Sequence, residues 1–147
     1  MRYYEDLVEG EESCSDPRRV QTAELIEFAR QYDPQYFHAD PEEARRSIFG
    51  EVVASGIFTM ALWRQLDHQI AHDIAWICGV AWDEVRFPTA LRGGDEVRAR
   101  AKCLSKRVSR SRPERGVVVY DYLLFNQRGE TVFTCRSTNL IERRMLA

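Results

Sequence analysis

The chain has 147 residues, 44% apolar and 30% charged, with a formal charge of −2 from 21 Lys and Arg against 23 Asp and Glu. That length supports one hydrophobic core without a disulfide or metal staple and leaves too little for two, so one domain over residues 1–147 is expected. The mix excludes disorder, and the near balance of charge gives no electrostatic footprint for a nucleic-acid partner.

Arg2–Val8 is an aromatic and apolar piece that reads as a short strand ending before Gly10. Glu5 and Asp6 interrupt it and Glu9 follows it, so it has no apolar h-region and no secretory signal is expected. A helix is expected from Thr22, its N-cap, because Leu25, Phe28, Ala29 and Tyr32 fall on one stripe. Pro34 ends it, since the residue before a proline is pushed out of the α region. A second, short helix is announced by Asp40-Pro41-Glu42-Glu43, with Asp40 as N-cap and Glu43 reaching back as in a capping box. From Gly56 to about Ala71 a third helix is apolar on nearly every face of its first two turns, which predicts burial. The uncharged run here, Val52–Trp63, is 12 residues, short of the ~20 needed to span a bilayer. No membrane partner is expected.

After Asp73 the period changes to 2. Ile74–Val80 and Asp83–Phe87 read as strand, and Gly93-Gly94-Asp95 as a turn. Glu96–Lys102 carries one charged face, and Gly116–Phe125 and Thr131–Ile141 flank a hairpin turn at Asn126–Gly129. Helices first and four antiparallel strands after predict an α+β fold, the sheet wrapped around the long helix. Cys14, Cys78, Cys103 and Cys135 show neither a CxxC pair nor zinc spacing, which fits a reducing, cytoplasmic setting.

Chemistry concentrates in Asp33-Pro34-Gln35-Tyr36-Phe37-His38. On one helix Asp33 and His38 would point ~140° apart. In a loop they can turn toward one water, as a general acid and base must. The bland alternative makes Asp33 a turn cap and His38 a satisfied core histidine. Gly56 opens a buried helix whose first N–H groups suit a carbonyl or oxyanion, with Ser55 either a further donor or the N-cap. His68 and His72 have zinc spacing, but the Glu of HExxH is absent and no metal is expected. Lys106, Arg107, Arg110, Arg112 and Arg115 read as a basic loop, a solvated tip or a phosphate contact. Trp63, Trp76 and Trp82 are assigned to the core or a subunit interface.

The ordered set Phe28-Ala29-Arg30, Asp33–Asp40, Phe49-Gly50, Ala54-Ser55-Gly56, Arg86-Phe87-Pro88 and Gly94-Asp95 resembles the MaoC-like dehydratases, the hot-dog-fold R-specific enoyl-CoA hydratases. The usual motif has Asn and then Pro between Asp and His. Here Gln35 and Tyr36 stand instead, with Pro at position 34, a divergent form. The resemblance implies a hot-dog fold, a homodimer, and hydration of trans-2-enoyl thioesters of CoA or acyl-carrier protein, or the reverse dehydration, a reaction of fatty acid metabolism. Asp33 and His38 match the catalytic pair, and Ser55, Gly56 and Gln35 become substrate contacts. Arg110 and Arg112 are candidate CoA-phosphate contacts, and no cofactor is implied. A hot-dog thioesterase is the first alternative, but it wants a carboxylate on the central helix, where the first is the distant Asp67. A non-catalytic acyl-thioester-binding subunit is the second, and it has no need of Asp33 or His38.

Overall fold

The computed structural model describes residues 1–145. Its elements are β1 (Glu12–Cys14), β2 (Arg18–Arg19), α1 (Thr22–Tyr32), α2 (Tyr36–Ala39), α3 (Pro41–Ala44), α4 (Gly56–Ala71), β3 (Trp76–Arg86), β4 (Glu96–Val108), β5 (Arg115–Phe125) and β6 (Thr131–Glu142). The sheet runs β1-β4-β5-β6-β3, with β2 also on β4, and every strand pair is antiparallel. The sheet wraps α4, so the fold is the hot-dog form of α+β. Phe58, Leu62, Trp63 and Leu66 of α4 are buried against Val97, Ala99, Leu124 and Phe133 of the sheet. Each such side chain contributes roughly 2 kcal/mol of hydrophobic stabilisation. Strand alternation decides the faces: Val97, Ala99, Ala101 and Cys103 point in while Glu96, Arg98, Arg100 and Lys102 point out. No helix among the described residues is long and apolar enough to cross a membrane.

Local chemistry departs from the expected pattern in several places. Arg2–Val8 is not a strand. Asp6 accepts from the Tyr3 N–H at 2.9 Å and closes a 3-10 turn at Tyr4–Asp6, leaving Arg2 in a single bridge to Ile74. The cap of α1 is Gln21, not Thr22, and Glu24 accepts the Gln21 N–H at 2.9 Å. Asp40 caps α3 through the Glu42 and Glu43 N–H groups, but Glu43 faces Arg46 and does not reach back. The two apolar runs after Asp73 are one strand, β3, with three register shifts and a left-handed residue at Glu84 (φ 53°). The basic loop is shorter than it reads, because Lys106 and Arg107 belong to β4 and Arg115 to β5. Lys106 donates to the carbonyls of Tyr4 (2.8 Å) and Leu7 (2.7 Å), with its ammonium 4.4 Å from the centre of the Tyr4 ring.

Burial of α4 is one-sided. Ile57 is 52% exposed and Ala61 is open, and β3 is likewise exposed along most of its length. The inner side carries a charge, Asp67, which is 1% exposed. Arg64 and the Tyr122 hydroxyl donate to Oδ2 at 3.0 and 3.2 Å, while Oδ1 has no partner among the described residues. Burial pushes this carboxyl above the ordinary carboxylate range, against the opposing pull of Arg64 and Tyr122. A carboxyl raised on folding contributes stability below its unfolded pKa and loses it as pH rises through the folded one. Asp67→Asn should therefore be more stable than the parent at neutral pH, with the difference closing toward pH 4. Urea midpoints across that range measure it, and a difference that does not change with pH would refute the account.

Candidate functional site

Pro34 bars any continuation of α1, yet the Asp33 N–H still closes the last turn on the Ala29 carbonyl at 2.8 Å. The Asp33 side chain thus projects from a fixed helix end. The stretch beyond is a helical turn, α2, and not the open loop expected from sequence. The Gln35 carbonyl accepts from the His38 and Ala39 N–H groups at 2.9 and 3.0 Å. His38 is 7% exposed, with the Phe37 ring edge-on at 4.4 Å.

The orientation of both groups is over-determined. His38 Nδ1 lies 2.7 Å from the Val53 carbonyl, which can only accept, so Nδ1 carries a proton and Nε2 is where one is gained or released. Nε2 faces Asp33 Oδ2 at 3.9 Å. Gln35 Nε2 donates to the other oxygen, Oδ1, at 3.1 Å. The gap is too long for a direct hydrogen bond and suits a small molecule seated against both groups.

The facing wall is the segment leading into α4. Val53 N–H donates to the Phe37 carbonyl at 3.1 Å and Ala54 N–H to the Leu91 carbonyl at 2.8 Å. Ser55 is the N-cap, its Oγ accepting from Phe58 N–H at 3.1 Å. It is 1% exposed and sits behind the cavity wall, not in it, so the cap reading describes it. Gly56 is the first helical residue, with an N–H that has no intrahelical acceptor and lies at the positive end of the helix dipole. A Cβ there would lie 2.8 Å from the Phe87 ring, so only glycine fits beneath that ring as it stands.

Asp33, Gln35, His38 and Gly56 line one cavity of about 400 Å³, a size usual for small-molecule sites. Phe49, Thr59, Phe87, Leu91 and Val132 are among its other walls. None of these five is a site residue in the sequence reading. Phe49 and Phe87 enter it only as part of the family resemblance, and Thr59 left a further signal, standing one helical turn from Gly56 on the same face. A hollow of about 390 Å³ on the outer sheet face is walled by charges such as Arg100, Lys102, Asp121 and Arg136, and holds no comparable pair.

Other candidates lie elsewhere. Arg110 and Arg112 occupy the β4–β5 turn, next to the Glu142 end of β6, whereas Val132 marks the cavity at its start. Ten residues of strand, about 33 Å at ~3.3 Å per residue, separate these ends, so the structure does not bring the two arginines to Asp33 and His38. Asp67 is about 16 Å along α4 from Gly56 at 1.5 Å per residue, outside the cavity. The His68 and His72 rings lie 6.3 Å apart, and no group of three or more metal-ligating side chains forms around them among the described residues.

Residues 7–122 match the family model of the MaoC like domain. An uncharacterized protein of Bacillus subtilis, YdeM, is 30% identical over 129 residues, covering 85% of this chain and 88% of that relative. The 3-hydroxyacyl-thioester dehydratase Z of Mycobacterium tuberculosis is 36% identical over 69 residues, 46% of either chain. The crystal structure of a MaoC-like dehydratase from Rhodospirillum rubrum superposes with a TM-score of 0.90 at 35% identity, covering 99% of this chain and 100% of that one.

The His38–Val53 bond makes a prediction independent of any reaction. Long-range 1H–15N spectra should show His38 with Nδ1 protonated whenever its ring is neutral. A neutral His38 ring protonated at Nε2 would contradict the geometry.

Proposed function

The chain belongs to the MaoC-like dehydratase family, and from that premise we propose that it hydrates trans-2-enoyl thioesters of CoA or acyl-carrier protein, or dehydrates the 3-hydroxyacyl product. Residues 1–147 act as one such domain. The observation that carries the reading is the meeting of Asp33, His38 and the α4 N-terminus in one cavity.

A water held between Asp33 Oδ2 and His38 Nε2 lies within one hydrogen bond of each. As its oxygen bonds to Cβ, its proton passes to Asp33 and the C=C electron pair moves onto Cα and the thioester oxygen. The Gly56 N–H and the helix dipole stabilise that oxyanion. Cα then takes the Nε2 proton of His38, which enters the step doubly protonated with its Nδ1 proton kept on the Val53 carbonyl, and transfer of the Asp33 proton to the now neutral Nε2 restores the pair. Every step uses groups of this chain and none draws on a cofactor. Gln35 acts by holding Asp33 Oδ1, so that Oδ2 is left for the water.

The same reading includes a homodimer. Val80 (59% exposed) and Trp82 on β3, Phe87 just past its end and Ile57 of α4 all lie open, and β3 is an edge strand whose outer hydrogen-bonding side pairs with no strand among the described residues. Such an apolar edge asks for a partner. Light scattering at micromolar concentration should give twice the chain mass, and Trp82→Glu should shift it toward the monomer. A monomeric parent would remove the dimer from the reading.

The test of the chemistry pairs activity with stability. Asp33→Asn and His38→Ala should each lower enoyl-CoA hydration by ~10²-fold or more, the scale of a lost acid–base group. The double variant should be little worse than either single one. Asp33→Asn should leave the melting temperature nearly unchanged, because its role is chemical. Near-normal turnover by Asp33→Asn would sink the mechanism.

A further inference from the structure

Five aromatic rings run in contact from the site cavity toward the far half of α4. Phe87 meets Phe133 with ring centres 5.6 Å apart, and Phe133 meets Trp63 at 5.3 Å. Trp63 in turn meets Trp82 at 5.0 Å and Tyr122 at 4.9 Å. The site cavity lies on one side of this row. On the other, beneath β3, is a hollow of about 270 Å³ walled by Arg64, Asp67, Trp82, Tyr122, Ser137 and Asn139. The two share no wall residue.

Resting on the enoyl-thioester reading, we propose that this aromatic row is the blind end of the acyl pocket, that it restricts the protein to short acyl chains, and that Phe87 sets the limit. With the thioester oxygen at Gly56 and Cβ between Asp33 and His38, the rest of the acyl chain must run deeper into the cavity. Val53, Leu91 and Val132 are each at most 2% exposed and cannot retreat without disturbing the core. Phe133 and Trp63 are wholly buried. Phe87 is the one ring of the row that lines the cavity and touches the anchoring residue Gly56. A tail that did pass the row would meet the Arg64–Asp67 ion pair and the amide of Asn139, where an alkyl group desolvates polar atoms without replacing their partners. Steric closure and polarity thus act in the same direction.

The experiment measures kcat/KM for crotonyl-, hexenoyl-, octenoyl- and decenoyl-CoA, and calorimetric binding of the saturated butyryl- and decanoyl-CoA. Crotonyl-CoA should exceed decenoyl-CoA by at least ~100-fold, since even one unaccommodated methylene costs roughly 10-fold. Phe87→Ala should reduce that ratio at least ~10-fold, and Phe87→Leu, which keeps an apolar cover, by less. A ratio between chain lengths is insensitive to a general loss of folded protein. A parent that hydrates both equally, or a ratio unmoved in both variants, overturns the limit while leaving hydration intact. Tighter binding of butyryl-CoA than of decanoyl-CoA with no hydration of any enoyl-CoA supports the limit and overturns the hydration reading instead.

Discussion

The backbone carbonyl of Val53 holds the candidate site together. It accepts from His38 Nδ1 at 2.7 Å, while the Val53 N–H donates to the Phe37 carbonyl at 3.1 Å. The segment that ends three residues later in the first turn of α4 is thereby tied to the turn that carries the imidazole. Ala54 ties the same segment to Leu91 across the cavity. An imidazole and a helix terminus drawn from two separate stretches are thereby held in one frame. Placement of that kind is what acid–base and oxyanion groups require, because small misplacements are costly in rate. The remaining constraint comes from the sheet, whose wrapping of α4 leaves the helix's first turn at the cavity and nowhere else.

What the sequence disclosed follows the range of the forces involved. The extent of α4, the Asp40 cap and the three long hairpin strands rest on local periodicity and turn chemistry, and they stand where those rules put them, except that β4 runs on past Lys102 to Val108. Asp33 and His38 were legible because Pro34 breaks the helix between them. That α2 is a helical turn was not, since its one turn is too short to show a period. Val53 was invisible as a histidine partner because any residue offers the same carbonyl. The same blindness hid the cavity place of Val132, which strand register sets, and that of Phe87, whose residue type supports the family resemblance without saying what it faces. The arginine-rich stretch misled for a related reason. Charge composition says nothing about which end of a sheet a turn occupies.

One interior feature runs against simple burial. Asp67 and the Trp63 indole N–H, a turn apart on α4, are both enclosed, and each has an atom without a protein partner among the described residues. An unpaired buried polar group costs ~1–3 kcal/mol. The surrounding rings of Trp63, Tyr122 and Phe133 are large enough to offset that cost through packing and ring–ring contact. The middle of α4 is accordingly packed with aromatic rings, and Phe133 among them packs against Phe87, a wall residue of the cavity.

The contacts of the first residues have a bearing on how the chain assembles. Arg2 reaches Asp73, Lys106 reaches Tyr4, and Arg143 reaches Glu5, across sequence separations of 71, 102 and 138. Each closes a long loop, but closure entropy grows only logarithmically, by about 0.6 kcal/mol per doubling of loop length. The separation of 138 therefore costs only about 0.6 kcal/mol more to close than that of 71. A few half-exposed ion pairs and one ammonium then suffice to dock the N-terminal segment, although no such contact would have held it to an unfolded chain. The N-terminal segment is therefore held by contacts that only the folded remainder of the chain can offer.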